Sequence, residues 1–133
     1  PQPGDLIEID RPFHQHWALY MGDGYVINLT PAGKEKVKVV KQKGLSKVAL
    51  FIRTVKKQRL KKVVRHNKWR VNNKSDKCQT PLPVKEIIQR AEAYMSKEVT
   101  YCSIGRNCEH FVKKLRYGET FFEQVSATGG APG

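Results

Sequence analysis

Gly105-Arg106-Asn107-Cys108-Glu109-His110-Phe111-Val112 sets a cysteine at the junction between an extended segment and a helical pattern. Backbone N–H groups without helical partners collect at such a junction, and with the helix dipole they favour negative charge. A thiol placed there can drop from a pKa of about 8.5 into the range of about 3.5–7.5 and act as a nucleophile. The competing reading is a buried, inert thiol. A nucleophilic thiol needs a base. His16, in Gln15-His16-Trp17-Ala18-Leu19-Tyr20, is favoured over His14, which lies in a loop without that apolar setting. His110 follows Cys108 by two, points to another side of the helix and reads as structural. His66 lies in a basic loop and reads as solvated.

The elements that must position this pair follow from periodicity. Asp5–Asp10 alternates polar and apolar residues and reads as a strand. His16–Met21 is a second strand, Gly22-Asp23-Gly24 a tight turn and Tyr25–Leu29 the returning strand. A turn centred on Asp23 sets Met21 across from Tyr25 and His16 across from Thr30. A bulge then brings Asn28 within diagonal reach of His16. Lys34–Lys43 reads as a mobile basic loop. Leu45–Val55, around Val48-Ala49-Leu50-Phe51-Ile52, reads as a buried strand, Arg59–Val64 as a helical turn, and Lys68–Asn73 as a strand ending in a turn.

From Pro83 to Met95 the apolar positions Val84, Ile87, Ile88 and Ala91 have the helical period. Val99–Tyr101 is extended. Asn107 can cap a second helix from Cys108 to Arg116, with Phe111, Val112 and Leu115 inward and Gly118 ending it. A β-rich first half followed by two helices makes the class α+β.

The chain has 133 residues, enough for one domain with a real core. The expected division is one domain over 1–125 and a flexible tail over 126–133. Three cysteines (Cys78, Cys102, Cys108) form neither a disulfide framework nor a zinc site, which points to a reducing compartment and no cofactor. Lys and Arg number 25 against 12 acids, a formal charge of +13, which suits an anionic partner. The candidate anionic-binding surface is Lys34, Lys36, Lys38, Lys41, Lys43, Lys56, Lys57, Arg59, Lys61 and Lys62, each near-surface cation adding about 1 kcal/mol on anionic lipid. No apolar run is long enough to span a bilayer.

Several blocks in order carry a resemblance: Pro3-Gly4-Asp5-Leu6-Ile7-Glu8-Ile9, His16 to Leu29, Arg70-Val71-Asn72-Asn73-Lys74, Asn107 to Val112, and Leu115-Arg116-Tyr117-Gly118. Together they resemble the phospholipase A/acyltransferase group of the lecithin:retinol acyltransferase-like (H-box/NC) family. The resemblance implies a circularly permuted papain-like (NlpC-type) fold, an antiparallel sheet packed with helices and a nucleophilic cysteine at a helix N-terminus. It implies a thiol phospholipase A1/A2 and acyltransferase working through an acyl-cysteine, with Cys108 as nucleophile and His16 as base. Asn28 falls where most members have a second histidine; its amide oxygen can orient the imidazole, as in a Cys-His-Asn set. The oxyanion site is expected from backbone N–H groups near Cys108, with Gln15 and Tyr20 as side-chain alternatives.

The chain departs from cellular members in its basic stretch after Pro31 and in lacking their C-terminal apolar anchor. Some picornaviruses carry H-box/NC proteins as their 2A product, and a start at Pro1 fits release after a Gly-Pro site. The second expectation is therefore a viral, non-enzymatic replication factor binding RNA, membrane or host proteins. Either reading places the chain in the cytoplasm, with peripheral contact to a phospholipid or membrane surface.

Overall fold

The computed structural model describes residues 1–31, 37–41, 47–101 and 107–118, without the side chains of 37–41, 47–51, 100, 101 and 107. Seven strands form one antiparallel sheet: β1 (Leu6–Asp10), β2 (Gln15–Gly22), β3 (Tyr25–Pro31), β4 (Val37–Lys41), β5 (Lys47–Arg59), β6 (Trp69–Val71) and β7 (Glu98–Tyr101). Three helices accompany them: α1 (Leu60–Val64), α2 (Val84–Ala93) and α3 (Asn107–Tyr117). The class is α+β, as the element order implied.

The hairpin of β2 and β3 turns on Asp23 and Gly24, both at positive φ (56° and 83°), the geometry that Asp-Gly tolerates. Its register pairs Tyr20 with Val26 and Ala18 with Asn28, and a shift at Met21 sets Gly22 across from Tyr25. The irregularity thus sits beside the turn and corrects the expected pairing of Met21 with Tyr25, and it is not what brings Asn28 towards His16, since Ala18 pairs with Asn28 in the register that the turn alone sets. The β2–β3 ladder ends at Ala18 and Asn28. Beyond it the first residues of β2 continue on β1, as in Ile9 with His16, while β3 continues on β5 as far as Pro31 with Arg53. The two strands part there and leave a fork.

β5 is longer than expected. It runs four residues past Val55 because β3 supplies a ladder down to Tyr25 with Arg59. Lys57 and Arg59 lie over the Tyr25 ring at 5.3 and 5.1 Å, which gives this charged end a cross-strand contact. The loop expected over Lys34–Lys43 is corrected in its centre. Val37–Lys41 is a strand paired with Lys47–Phe51. Three valines in five residues favour that pairing more than the flanking lysines oppose it. Phe51 pairs with both Val37 and Tyr101, and Thr54 with both Thr30 and Glu98. Thus β3 and β4 follow each other along one edge of β5, and β7 takes the other.

Both faces of the sheet are covered. On one side Leu6, Trp17, Leu19, Ile27 and Leu29 pack with Ile87 and Ala91 of α2 and with Phe111, Val112 and Leu115 of α3. On the other, Ile7, Ile9, Ala18 and Val26 pack with Val63 and Val64 of α1. The inward faces of α2 and α3 agree with the 3.6-residue period, except that Val84 is 52% exposed. Gly118 ends α3 at φ +90°, its N–H donating to the Lys114 carbonyl.

β6 is fastened by the Asn72-Asn73 pair. The Leu6 N–H donates to Asn73 Oδ1 at 2.9 Å, and Asn72 Nδ2 donates to Glu8 Oε1 at 2.8 Å. Among the described residues, no helix is long and apolar enough to cross a membrane. The tail expected over 126–133 lies outside the described residues, as do Cys102 and the side chain of Asn107.

Candidate active site

Cys108 is the second residue of α3 and is buried, 5% exposed. Its thiol reaches the fork where β2 and β3 part. Sγ lies 3.8 Å from the Gln15 carbonyl oxygen and is also approached by the Trp17 N–H, so it is held by backbone on both sides of His16. The N–H groups of Glu109 and of Cys108 itself also face the sulfur.

At the same fork His16 Nε2 and Asn28 Oδ1 are 2.9 Å apart. Asn28 is buried, and its Nδ2 donates to the Lys56 carbonyl at 3.3 Å and to Gln58 Oε1 at 3.1 Å. A backbone carbonyl only accepts, so the amide group must face Lys56 and the amide oxygen must face the imidazole. His16 therefore carries its proton on Nε2, and Nδ1 keeps the free lone pair. The diagonal contact arises because Asn28 pairs with Ala18, two residues beyond His16 on the same strand face.

Burial sets the charge state of both groups. It pushes the Cys108 thiol above its ordinary value, outweighing the backbone N–H groups that favour thiolate, while the nearby Glu109 carboxylate raises it further. The lowered thiol pKa expected from the helix start is thus corrected: the dipole and N–H groups are present, but desolvation is larger. Burial also lowers His16, to about 4, with Arg11 and His14 adding to the fall and the Asn28 bond opposing it. Both shifts favour the uncharged forms, a thiol at Cys108 and a neutral imidazole at His16.

Cys108, His16 and Asn28 open into one cavity of about 710 Å³. Its wall includes Leu29, Thr30, Pro31, Gln58 and Val63, and its basic lining is Arg11, His14, Arg53, Lys62 and Arg65. Of the ten cations expected to form an anionic surface, Lys62 lines this cavity. Lys56, Lys57, Arg59 and Lys61 are exposed on β5 and α1. Lys38 and Lys41 lie in β4, and Lys34, Lys36 and Lys43 lie outside the described residues. Arg11, Arg53, Arg65 and the Asn28 partner Gln58 were missed by sequence reasoning, and His14, weighed as the alternative base, lines the same cavity. They come from separate segments with no common spacing.

The side-chain alternatives for an oxyanion site are engaged elsewhere. Gln15 Nε2 donates to Glu8 Oε2 at 3.0 Å and also to Asp10, and the Tyr20 hydroxyl accepts the Gly24 N–H at 2.9 Å. Cys78 is exposed, and Trp17 is core. No cluster of His, Cys, Asp and Glu able to hold a metal is found among the described residues.

The model of the lecithin retinol acyltransferase family matches residues 1–121. Phospholipase A and acyltransferase 1 of Rattus norvegicus is 48% identical over 133 residues, which are 100% of this chain and 78% of the rat protein. The Homo sapiens protein of the same name is 50% identical over 127 residues, 95% of this chain and 73% of that protein. Phospholipase A and acyltransferase 3 of Homo sapiens is 48% identical over 129 residues, 94% of this chain and 76% of that protein. These mammalian relatives lend no support to the viral alternative. The match across the fork, the helix and the strands that carry them leads to one conclusion: the chain belongs to the lecithin retinol acyltransferase family.

Proposed function

We propose that this chain is a phospholipase A and acyltransferase that works through an acyl-cysteine at Cys108. The observation that carries the mechanism is the fork, where the Cys108 thiol is held on either side of a histidine whose tautomer Asn28 has set. His16 Nδ1 takes the thiol proton as Sγ attacks the carbonyl carbon of a glycerophospholipid ester. With the thiol raised and the imidazole lowered, proton transfer keeps step with attack rather than preceding it. The proton then passes from His16 to the departing glycerol oxygen, and the C–O bond breaks to leave a thioester and a lysophospholipid.

Water or a lipid amine attacks the thioester, His16 accepts its proton, and Sγ is returned as the thiol. Backbone N–H groups at the start of α3 are placed to stabilise the tetrahedral oxygen. The order of histidine strand before cysteine helix fits a permuted papain-like arrangement. The same reading makes the protein a peripheral one that meets its substrate at a cytoplasmic membrane surface.

The test uses phosphatidylcholine vesicles, reading free fatty acid and, by intact mass, an acyl adduct. Cys108→Ala is expected to abolish both while keeping the wild-type circular dichroism spectrum. Release of fatty acid by the alanine variant at the wild-type rate would falsify the mechanism. Absence of both signals from the folded wild type would remove the activity itself.

A further inference from the structure

Phe13 stands 97% exposed at the edge of the catalytic cavity. It lies in the loop between β1 and β2, which is not slack. The Arg11 N–H donates to the His14 carbonyl at 3.0 Å, and the Arg11 guanidinium donates to the Val63 carbonyl of α1 at 3.0 Å. The ring is thus held out in water by a closed four-residue loop tied to a neighbouring helix. Nothing in the core uses it.

Around it, the same opening is lined by Arg11, His14, Lys62 and Arg65, and no carboxylate lines it among the described residues. A large apolar side chain at the edge of an opening that Arg11, Lys62 and Arg65 also line matches the layering of a lipid surface, with phosphates outside and acyl chains beneath. A nucleic acid could also use the cations and stack a base on the ring, but the cavity at this opening leads to the thiol of the proposed phospholipid site, which favours the lipid surface.

We infer that Phe13, rimmed by Lys62 and Arg65, is a docking device that seats the cavity mouth on an anionic glycerophospholipid bilayer. The ring enters the acyl boundary, the two cations contact lipid phosphates, and the opening above Cys108 faces the membrane. This inference rests on the phospholipid reading of the site, but docking needs no turnover and is measured separately.

The experiment is sedimentation with phosphatidylcholine vesicles, with and without phosphatidylglycerol. Phe13→Asp is expected to lower partitioning at least about tenfold, the scale of one buried aromatic ring. Lys62→Glu and Arg65→Glu are each expected to lower it about fivefold or more, and only when phosphatidylglycerol is present. Val84→Asp, an equally polar change at an exposed apolar residue of α2, is expected to leave partitioning as in the wild type.

Phe13→Trp reads insertion directly. Its emission should shift to the blue on vesicle addition, beyond any wild-type shift, and should be quenched by brominated lipid. The loss of activity for Phe13→Asp should be at least about tenfold greater on vesicles than on monomeric dihexanoylphosphatidylcholine, as expected for a docking residue. Equal losses on the two substrates, or an emission of the Phe13→Trp variant that is blind to vesicles, would overturn the inference. Vesicle binding that persists in Phe13→Asp would do the same. A protein that partitions as expected but releases no fatty acid keeps the docking device and loses the proposed activity.

Discussion

The amide of Asn28 has one way to lie, because the Lys56 carbonyl and Gln58 hold its Nδ2. This places the imidazole proton of His16 on Nε2 and leaves Nδ1 with the free lone pair that the proposed mechanism uses. Replacing Asn28 by Ala should lower kcat by roughly a hundredfold, the cost of a misplaced catalytic group, with a smaller change in KM. The same change removes the buried Asn28 amide and its bonds to the Lys56 carbonyl and Gln58, and should cost about 1–3 kcal/mol of stability in urea titration. A kcat within twofold of the wild type would remove Asn28 from its positioning role.

His16 also sets a pH window. Its imidazole is lowered to about 4 in the fold, so between pH 6.5 and 4 the unfolded chain holds a proton that the folded chain does not. Stability therefore falls as pH drops through that window, by about 3 kcal/mol once below it. Urea unfolding at pH 7 and pH 4.5 should show the wild type losing about 2–3 kcal/mol more than His16→Gln. The acid limb of kcat/KM should lie near pH 4, because the base remains neutral down to there. An acid limb near pH 6.5 would mean that the imidazole is solvated.

Among the elements, α3 is the one on which the site depends most directly. It presents Cys108 from its first turn and is held to the sheet by Phe111, Val112 and Leu115, all nearly or fully buried. Leu115→Ala should cost about 2–5 kcal/mol, as a leucine truncated in a packed core does. Val84→Ala on α2 should cost under about 0.5 kcal/mol, since that residue is 52% exposed. Thermal or urea unfolding distinguishes them, and equal costs would mean that the α2 stripe is packed as its period alone implied. That period was legible because 3.6 residues per turn is a local property. The exposure of Val84 was not, because it depends on what faces the helix start. Likewise the lysines around Val37–Lys41 made a strand read as a loop, since the pairing partner Lys47–Phe51 is visible only in the sheet.

For the molecule as a whole, one cluster ties Gly4 and the end of α3 to the middle of the chain. Arg116, 8% exposed, donates to both carboxylate oxygens of Asp76 at 3.0 and 2.7 Å and to the Gly4 carbonyl at 2.7 Å. The Tyr117 hydroxyl donates to Asp76 at 2.6 Å. Asp76→Asn should cost about 1–3 kcal/mol in urea titration, because Arg116 is left buried without its carboxylate. Since the site lies at the fork rather than near this cluster, turnover per folded molecule should stay close to the wild type. A large fall in turnover without a loss of stability would place Asp76 in a different role. The net charge of +13 belongs to the same scale: it favours anionic surfaces, and the orientation of the cavity on one is what the proposed docking through Phe13 would add.

The sequence by itself determined the chemical groups and the local elements. A cysteine ahead of an amphipathic helix, a histidine in an apolar strand and an Asp-Gly turn are recorded in neighbouring residues, because backbone periodicity and turn geometry act over a few positions. The hairpin and both long helices could be read that way, whereas the Cys108, His16 and Asn28 roles came from the family resemblance and are proposals that the variants above test. Tertiary structure alone decided the charge states, the tautomer and the cavity. Desolvation reversed the expected shift at Cys108 and lowered His16, and it is the sum of everything packed around them. The orientation of Asn28 depends on Lys56 and Gln58, about thirty residues away and brought near by the β3–β5 register. The basic lining of the cavity gathers Arg11 and His14 of a loop, Arg53 of β5, and Lys62 and Arg65 in and just after α1, which share no spacing along the chain.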